Sequence, residues 1–256
     1  PRIEALPGDF LEGELRDSVR RRLADFLRTA IERGLQPLFR LRAAELSGAA
    51  RGLVFQLGEA LGSLPASAVA SQRAALAESD RRLLARLGVR LGVETVYVDA
   101  LLRPRAAALR GLLWAVRHGE APPPVPALAA ARDPAVSAAA YAAMGWRVLG
   151  PRVLRVDRVE RLAAAARRLA RQGRFAATPA LAQLGGIALD ELTPMLTALG
   201  YRAVLGEAGV SFRAGAHRAR QARQGKAARG RQQRRGDEAA APDGPFAKLK
   251  ELRLAR

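Results

Sequence analysis

The sequence predicts a mainly α protein with one central strand in its first half and a β-hairpin near its last third. Three observations carry this. Apolar residues recur at three- and four-residue steps over most of the chain. A β-branched and aromatic run stands alone at Val93–Val98. The final helical pattern stops at Gly200 and passes into alternating apolar residues.

From Gly13 to about Leu61 the pattern is helical: Leu15, Val19, Leu23, Phe26, Leu27, Ile31 and Leu35 share a face, and Arg20, Arg21 and Arg22 join the polar surface. Pro37 opens a second helical stretch, and Ser47-Gly48 marks a break before the pattern resumes. A further helix is expected over Ala66–Ala77. Ser79 is expected to cap the next one, which stops at Gly88. The Val93–Val98 strand follows, then a helix from Pro104 to Gly119 with Ala108, Leu112 and Val116 as its apolar face. Pro122, Pro123 and Pro124 cannot continue a helix and read as a stiff linker or loop.

The second half is more clearly punctuated. A short helix and an extended pair are expected before Asp157. Asp157 and Glu160 then stand at capping-box spacing ahead of a helix closed by Gly173. Thr178 caps a helix with Pro179 at its first position and Gly185 at its end. A third helix turns Leu189, Leu192, Leu196 and Leu199 inward. Tyr201, Ala203 and Leu205, a turn over 206–209, and Val210 with Phe212 complete a hairpin. Three helices and a hairpin are the element order of a winged helix, so this region reads as a winged-helix-like module.

These elements divide the chain into a helical accessory domain with one strand over 1–120 and a Pro-rich linker or loop over 121–135. A winged-helix-like module over 136–214, a disordered basic linker over 215–244 and an amphipathic docking segment over 245–256 follow.

Among 256 residues, 43 are Lys or Arg against 24 Asp or Glu, a net charge of +19 that favours a polyanionic partner. Only three of the cations are lysines, as in a GC-rich genome. That usage explains Arg over Lys but not cations over anions. No acidic residue interrupts the segment containing Arg213, Arg218, Arg220, Arg223, Lys226, Arg229, Arg231, Arg234 and Arg235. These residues, with Arg202 on the hairpin, are the expected phosphate contacts with RNA or DNA. Phe246, Leu249 and Leu252 form a small apolar stripe expected to dock on a partner.

Catalytic signatures are missing. The chain has no cysteine, no G-x-x-x-x-G-K-[ST] phosphate loop, no G-x-G-x-x-G after a strand and no G-x-S-x-G elbow. His118 and His217 lack ligand-spaced neighbours, and His118 sits where it meets the last carbonyls of a helix. No metal, cofactor or catalytic set is expected, nor a membrane span, and a cytoplasmic location fits the absence of cysteine.

The stretches "LGVRLGVETVYVDALLRPRAAALRGLLWAVRHG", "GWRVLGPRVLRVDRVERLAAAARRL", "LTALGYRA" and "GPFAKLKEL" occur in that order from about Leu87 to Leu252. They resemble the C-terminal region of alphaproteobacterial superfamily 2 helicases, relatives of the mitochondrial RNA-degradosome helicase. The resemblance implies that ATP and Mg belong to RecA-like domains upstream of Pro1. The chain, which opens on Pro rather than Met, is then expected to be an excised fragment, the product of a truncated gene or one piece of a split protein, with an accessory role beside the helicase core. Two other readings of the same residues are a protein-interaction module, with Leu113 and Trp114 as further anchors, and a stand-alone winged-helix regulator.

Overall fold

The structure, a computed structural model, describes residues 13–206 and 209–215. Among these residues the fold is mostly helical, with three small antiparallel sheets. The long helical stretch at the start is three helices, α1 Gly13–Gly34, α2 Gln36–Ala43 and α3 Gly48–Glu59. Pro37 falls in the first turn of α2, and the Ser47 hydroxyl accepts the Ala50 amide at 3.4 Å, which caps α3. No α1 residue is buried, whereas Leu38, Leu41, Leu53, Val54 and Leu57 enter the first core.

Next come β1 Ser63–Pro65, α4 Ala70–Ala75, α5 Glu78–Arg86, β2 Val89–Leu91 and β3 Thr95–Val98. The helix expected over Ala66–Ala77 is therefore only α4. The chain leaves β1 at Pro65, and the Ala66 amide is held by the Glu94 carbonyl at 2.8 Å. Ser79 is not the cap of α5. That helix begins one residue earlier, behind extended Ala77, and the Ser47 hydroxyl anchors its first turn through Asp80 at 2.6 Å. The strand expected from Val93 is shorter, because residues 92–94 form the β2–β3 turn. β3 pairs with both neighbours, Leu64 opposite Val96 on one side and Val89 opposite Val98 on the other.

A 3-10 turn at Asp99–Leu102 leads into α6 Pro104–His118, which ends at Gly119 in the left-handed conformation. The face expected to be buried is the exposed one. Leu112 is 45 % and Val116 53 % accessible, while Ala106, Ala107, Arg110, Gly111, Trp114 and Ala115 are buried. Close packing decided this. A Cβ on Gly111 would lie 3.1 Å from Met144 Cγ, so the glycine admits the close approach of α7 Ala138–Met144 on this side. Within the Pro-rich stretch, Ala129–Ala131 forms β4, which pairs with β6 Arg152–Arg155 beside β5 Trp146–Leu149.

β6 runs without a linker into α8 Val156–Gln172, followed by β7 Phe175–Ala176, α9 Pro179–Gly185, α10 Leu192–Ala198, β8 Tyr201–Gly206 and β9 Gly209–Ala214. Thr178 caps α9 through the Leu181 amide. Leu192, Leu196 and Leu199 are buried, but Leu189 is exposed. Pro194 is tolerated only in a first turn, so the helix starts too late to include Leu189. Phe175, Phe212 and Tyr201 fill this core, with ring centroids 5.8 and 5.5 Å apart.

One arrangement occurs three times. The sheets have strand orders β1-β3-β2, β4-β6-β5 and β7-β9-β8. In each, a helix precedes a short strand, one or two helices follow, and a hairpin returns so that its last strand lies between the other two. The units are α3 to β3, α6 to β6 and α8 to β9. A turn replaces the middle helix in the second.

Polar contacts lock the units together. Asp157 and Glu160 do not form a capping box, because α8 starts directly from β6. Asp157 instead takes the Arg155 guanidinium at 2.6 and 2.9 Å. Burial works against the charge of Asp157, but those bonds outweigh it and hold the carboxyl below its usual range. Glu160 reaches the first unit, accepting the amides of Val93, Glu94 and Thr95 at 2.5, 2.9 and 2.6 Å. Burial pushes its carboxyl up despite these bonds. Arg147 meets Glu94 at 2.8 Å, and Arg152 meets Glu191 at 2.7 Å.

Between the first two units, fully buried Arg110 donates to the Leu101 carbonyl at 3.2 Å and to Ser63 Oγ at 2.5 Å. That hydroxyl donates onward to Ala142 O. Burial lowers the Arg110 pKa to about 9.

Removing the Glu160 acceptor strands the buried Thr95 amide, at a cost of about 1–3 kcal/mol, and frees the half-buried Val93 and Glu94 amides at a smaller one. Glu160→Ala is expected to lower unfolding free energy by about 3 kcal/mol in urea titration, and Glu160→Gln by less. Arg110→Met, which removes a buried cation without an acidic partner among the described residues, is expected to match or exceed wild-type stability. Arg110→Ala, which leaves a void, is expected to lose about 3 kcal/mol in the same titration.

Candidate nucleic-acid interface

The hairpin of the third unit places two of the expected contacts side by side. Arg202 on β8 and Arg213 on β9 are direct cross-strand partners, and both are exposed. Alternation explains their direction. Tyr201 and Phe212, their neighbours along the strands, are buried, so Arg202 and Arg213 point to the opposite side. Neither forms an ion pair among the described residues, whereas Arg82, Arg90, Arg147, Arg152 and Arg155 each meet a carboxylate.

Arg213 is thus a strand residue rather than the first residue of the basic run. Arg218, Arg220, Arg223, Lys226, Arg229, Arg231, Arg234 and Arg235 lie outside the described residues, as do Phe246, Leu249, Leu252 and His217.

The candidate anchors separate. Trp114 is 8 % accessible and belongs to a core cluster with Ala115, Ala140 and Ala143. Leu113 lines an open apolar groove of about 660 Å³ with Ile31, Leu35, Leu38, Phe39 and Val116, edged by Arg42 and Arg117. His118 lies 2.7 Å from the Trp114 carbonyl through Nδ1 and stacks on the Trp114 ring at 4.3 Å. Among the described residues, no group of three His, Cys, Asp or Glu side chains is placed to hold a metal. None of the described helices is long and apolar enough to cross a membrane.

The sequence reading overlooked the arginines of the folded body at α4, α5 and α8. Their pattern is helical rather than clustered along the chain, so a scan for basic runs passes over Arg73, Arg81, Arg167 and Arg171. Helical periodicity alone puts Glu160, Arg167 and Arg171 on one stripe of α8.

Two like charges directly opposite across a ladder destabilise it. Arg202→Glu creates a cross-strand ion pair with Arg213 and is expected to raise unfolding free energy by about 0.5 kcal/mol in urea titration. A stability gain paired with weaker oligonucleotide binding identifies a contact kept for charge rather than for the fold.

Comparisons with protein-family models, with curated proteins and with solved structures return no match to this chain.

Proposed function

We propose that this chain is a C-terminal accessory region of an ATP-dependent superfamily 2 helicase and binds RNA or DNA mainly through phosphates. ATP binding and hydrolysis belong, in this reading, to a RecA-like core outside the sequence. The observation that carries the nucleic-acid part is the exposed pair Arg202 and Arg213 on a hairpin that feeds directly into the basic run beginning at Arg218. The helicase part rests on the sequence resemblance. The third unit, α8 to β9, is read as a winged-helix-like module, because its first strand pairs with the last strand of a hairpin that follows two helices.

The contact is expected to be independent of sequence. α10 occupies the position from which such a module reads base edges, and its residues Leu192–Ala198 include no Arg, Lys, Asn or Gln. This counts against a stand-alone regulator. A second reading, an interaction module docking to a helicase core, is favoured by the apolar groove beside Leu113 and Val116.

Fluorescence anisotropy of the chain with single-stranded RNA, single-stranded DNA and duplex over a salt series tests the proposal. On duplex, log affinity is expected to fall with log salt at a slope of about 5 or steeper, with equal affinity for unrelated sequences. Replacing the basic residues over 218–235 by Gln is expected to remove most of that slope. A flat salt response removes the electrostatic reading, and a strong preference for one duplex sequence restores the regulator.

A further inference from the structure

The first unit presents a second basic surface, and it lies on the folded body. Arg73 at the end of α4 donates through Nη2 to the Gly92 carbonyl at 2.8 Å, on the β2–β3 turn. Arg81 of α5 donates to the Arg73 carbonyl at 2.6 Å. The same turn takes the Glu160 carboxylate of α8. Arg167 stands two helical turns beyond Glu160 on the same stripe, and Arg171 one turn further. Arg167 and Arg171 are exposed, and Arg73 and Arg81 are half-buried.

The charges here do not cancel. Burial lowers the Arg73 pKa; Glu160 opposes the shift, while Arg81 and Arg167 add to it, so three guanidinium groups share one neighbourhood. Glu160 is the carboxylate facing them, and its oxygens are occupied by three backbone amides. The other acids of α5 are committed elsewhere, Glu78 to Arg82 and Asp80 to the Ser47 hydroxyl.

Repetition makes the feature specific. α5, α7 and α10 are the helices that precede the hairpin in the three units. α7 and α10 contain no cationic residue, whereas α5 carries Arg81, Arg82 and Arg86. Only the first unit is basic at this position.

We propose that the basic surface beside the β2–β3 turn, formed by Arg73 and Arg81 together with Arg167 and Arg171 on the stripe of α8 that continues from Glu160, is a phosphate-binding surface for a nucleic-acid strand. The proposal rests on the nucleic-acid reading above and adds a site on the folded body, separate from the hairpin and the basic run. Without an exposed aromatic ring among these residues, the surface grips the backbone and does not stack on bases.

The test uses the full-length chain and oligonucleotide anisotropy over a salt series. Arg167→Glu with Arg171→Glu reverses two exposed charges and is expected to weaken binding by about tenfold or more and to reduce the salt slope by about 2. Arg167→Lys with Arg171→Lys keeps the charge and is expected to stay within about threefold of wild type. Unchanged thermal melting of both variants shows that the fold is intact. If wild type binds and the Glu variant binds equally well, the surface proposal is overturned while the nucleic-acid reading stands. If wild type itself fails to bind at low salt, the broader reading fails and the surface falls with it. Loss of binding to phosphatidylserine-containing vesicles with oligonucleotide binding intact also overturns the proposal, since it assigns the patch to a lipid headgroup.

Discussion

The three-amide turn between β2 and β3 sets the arrangement of the molecule. Val93, Glu94 and Thr95 direct consecutive N–H groups at one point, the Glu160 carboxylate. The buried Thr95 amide in particular needs an acceptor. Glu160 supplies it from the third unit, 65 or more residues away, and desolvation of its charge is the opposing term. A single carboxylate therefore fixes where α8 crosses the first sheet. Once α8 is placed, the β5–β6 hairpin that leads into it is close enough for Arg147 to meet Glu94.

Each of the three units closes the same strand order with different side chains. The first fills its core with leucine and valine from α2 to β3, and the third depends on Phe175, Tyr201 and Phe212. The second is built around Tyr141, Met144, Trp146 and Val153, and its small-residue helices allow α6 and α7 to approach closely. Leu149 and Leu154 belong to the third core although their strands belong to the second sheet. The units are therefore joined by shared apolar surface as well as by polar contacts.

The polar contacts also distribute the charge. Of the many arginines, several are consumed in holding units together: Arg147 on Glu94, Arg152 on Glu191, Arg155 on Asp157, and Arg110 in full burial against Ser63. Net charge thus overstates the cationic surface available to a partner. What is left is spread over several elements, among them α1 with Arg20, Arg21 and Arg22, α8 with Arg167 and Arg171, and the hairpin of the third unit with Arg202 and Arg213.

Local chemistry determined much of this protein by itself. Pro104 and Gly119 bracket α6, Thr178 and Pro179 start α9, and Gly173 ends α8, because caps and stops depend on a few adjacent residues. The hairpin at 201–214 was legible for the same reason, and with it Arg202 as an outward residue. Short strands were not legible. β1, β4 and β7 have two or three residues each and exist only because a distant strand supplies their hydrogen bonds, so the recurring three-strand sheet was hidden. The inward face of α6 was not legible because α7, which packs on its Gly111 side, comes from another stretch of the chain. Tertiary structure alone decided that Glu160 serves a turn in another unit and that Arg73, Arg81 and Arg167 converge, since no spacing along a chain encodes a contact made across the fold.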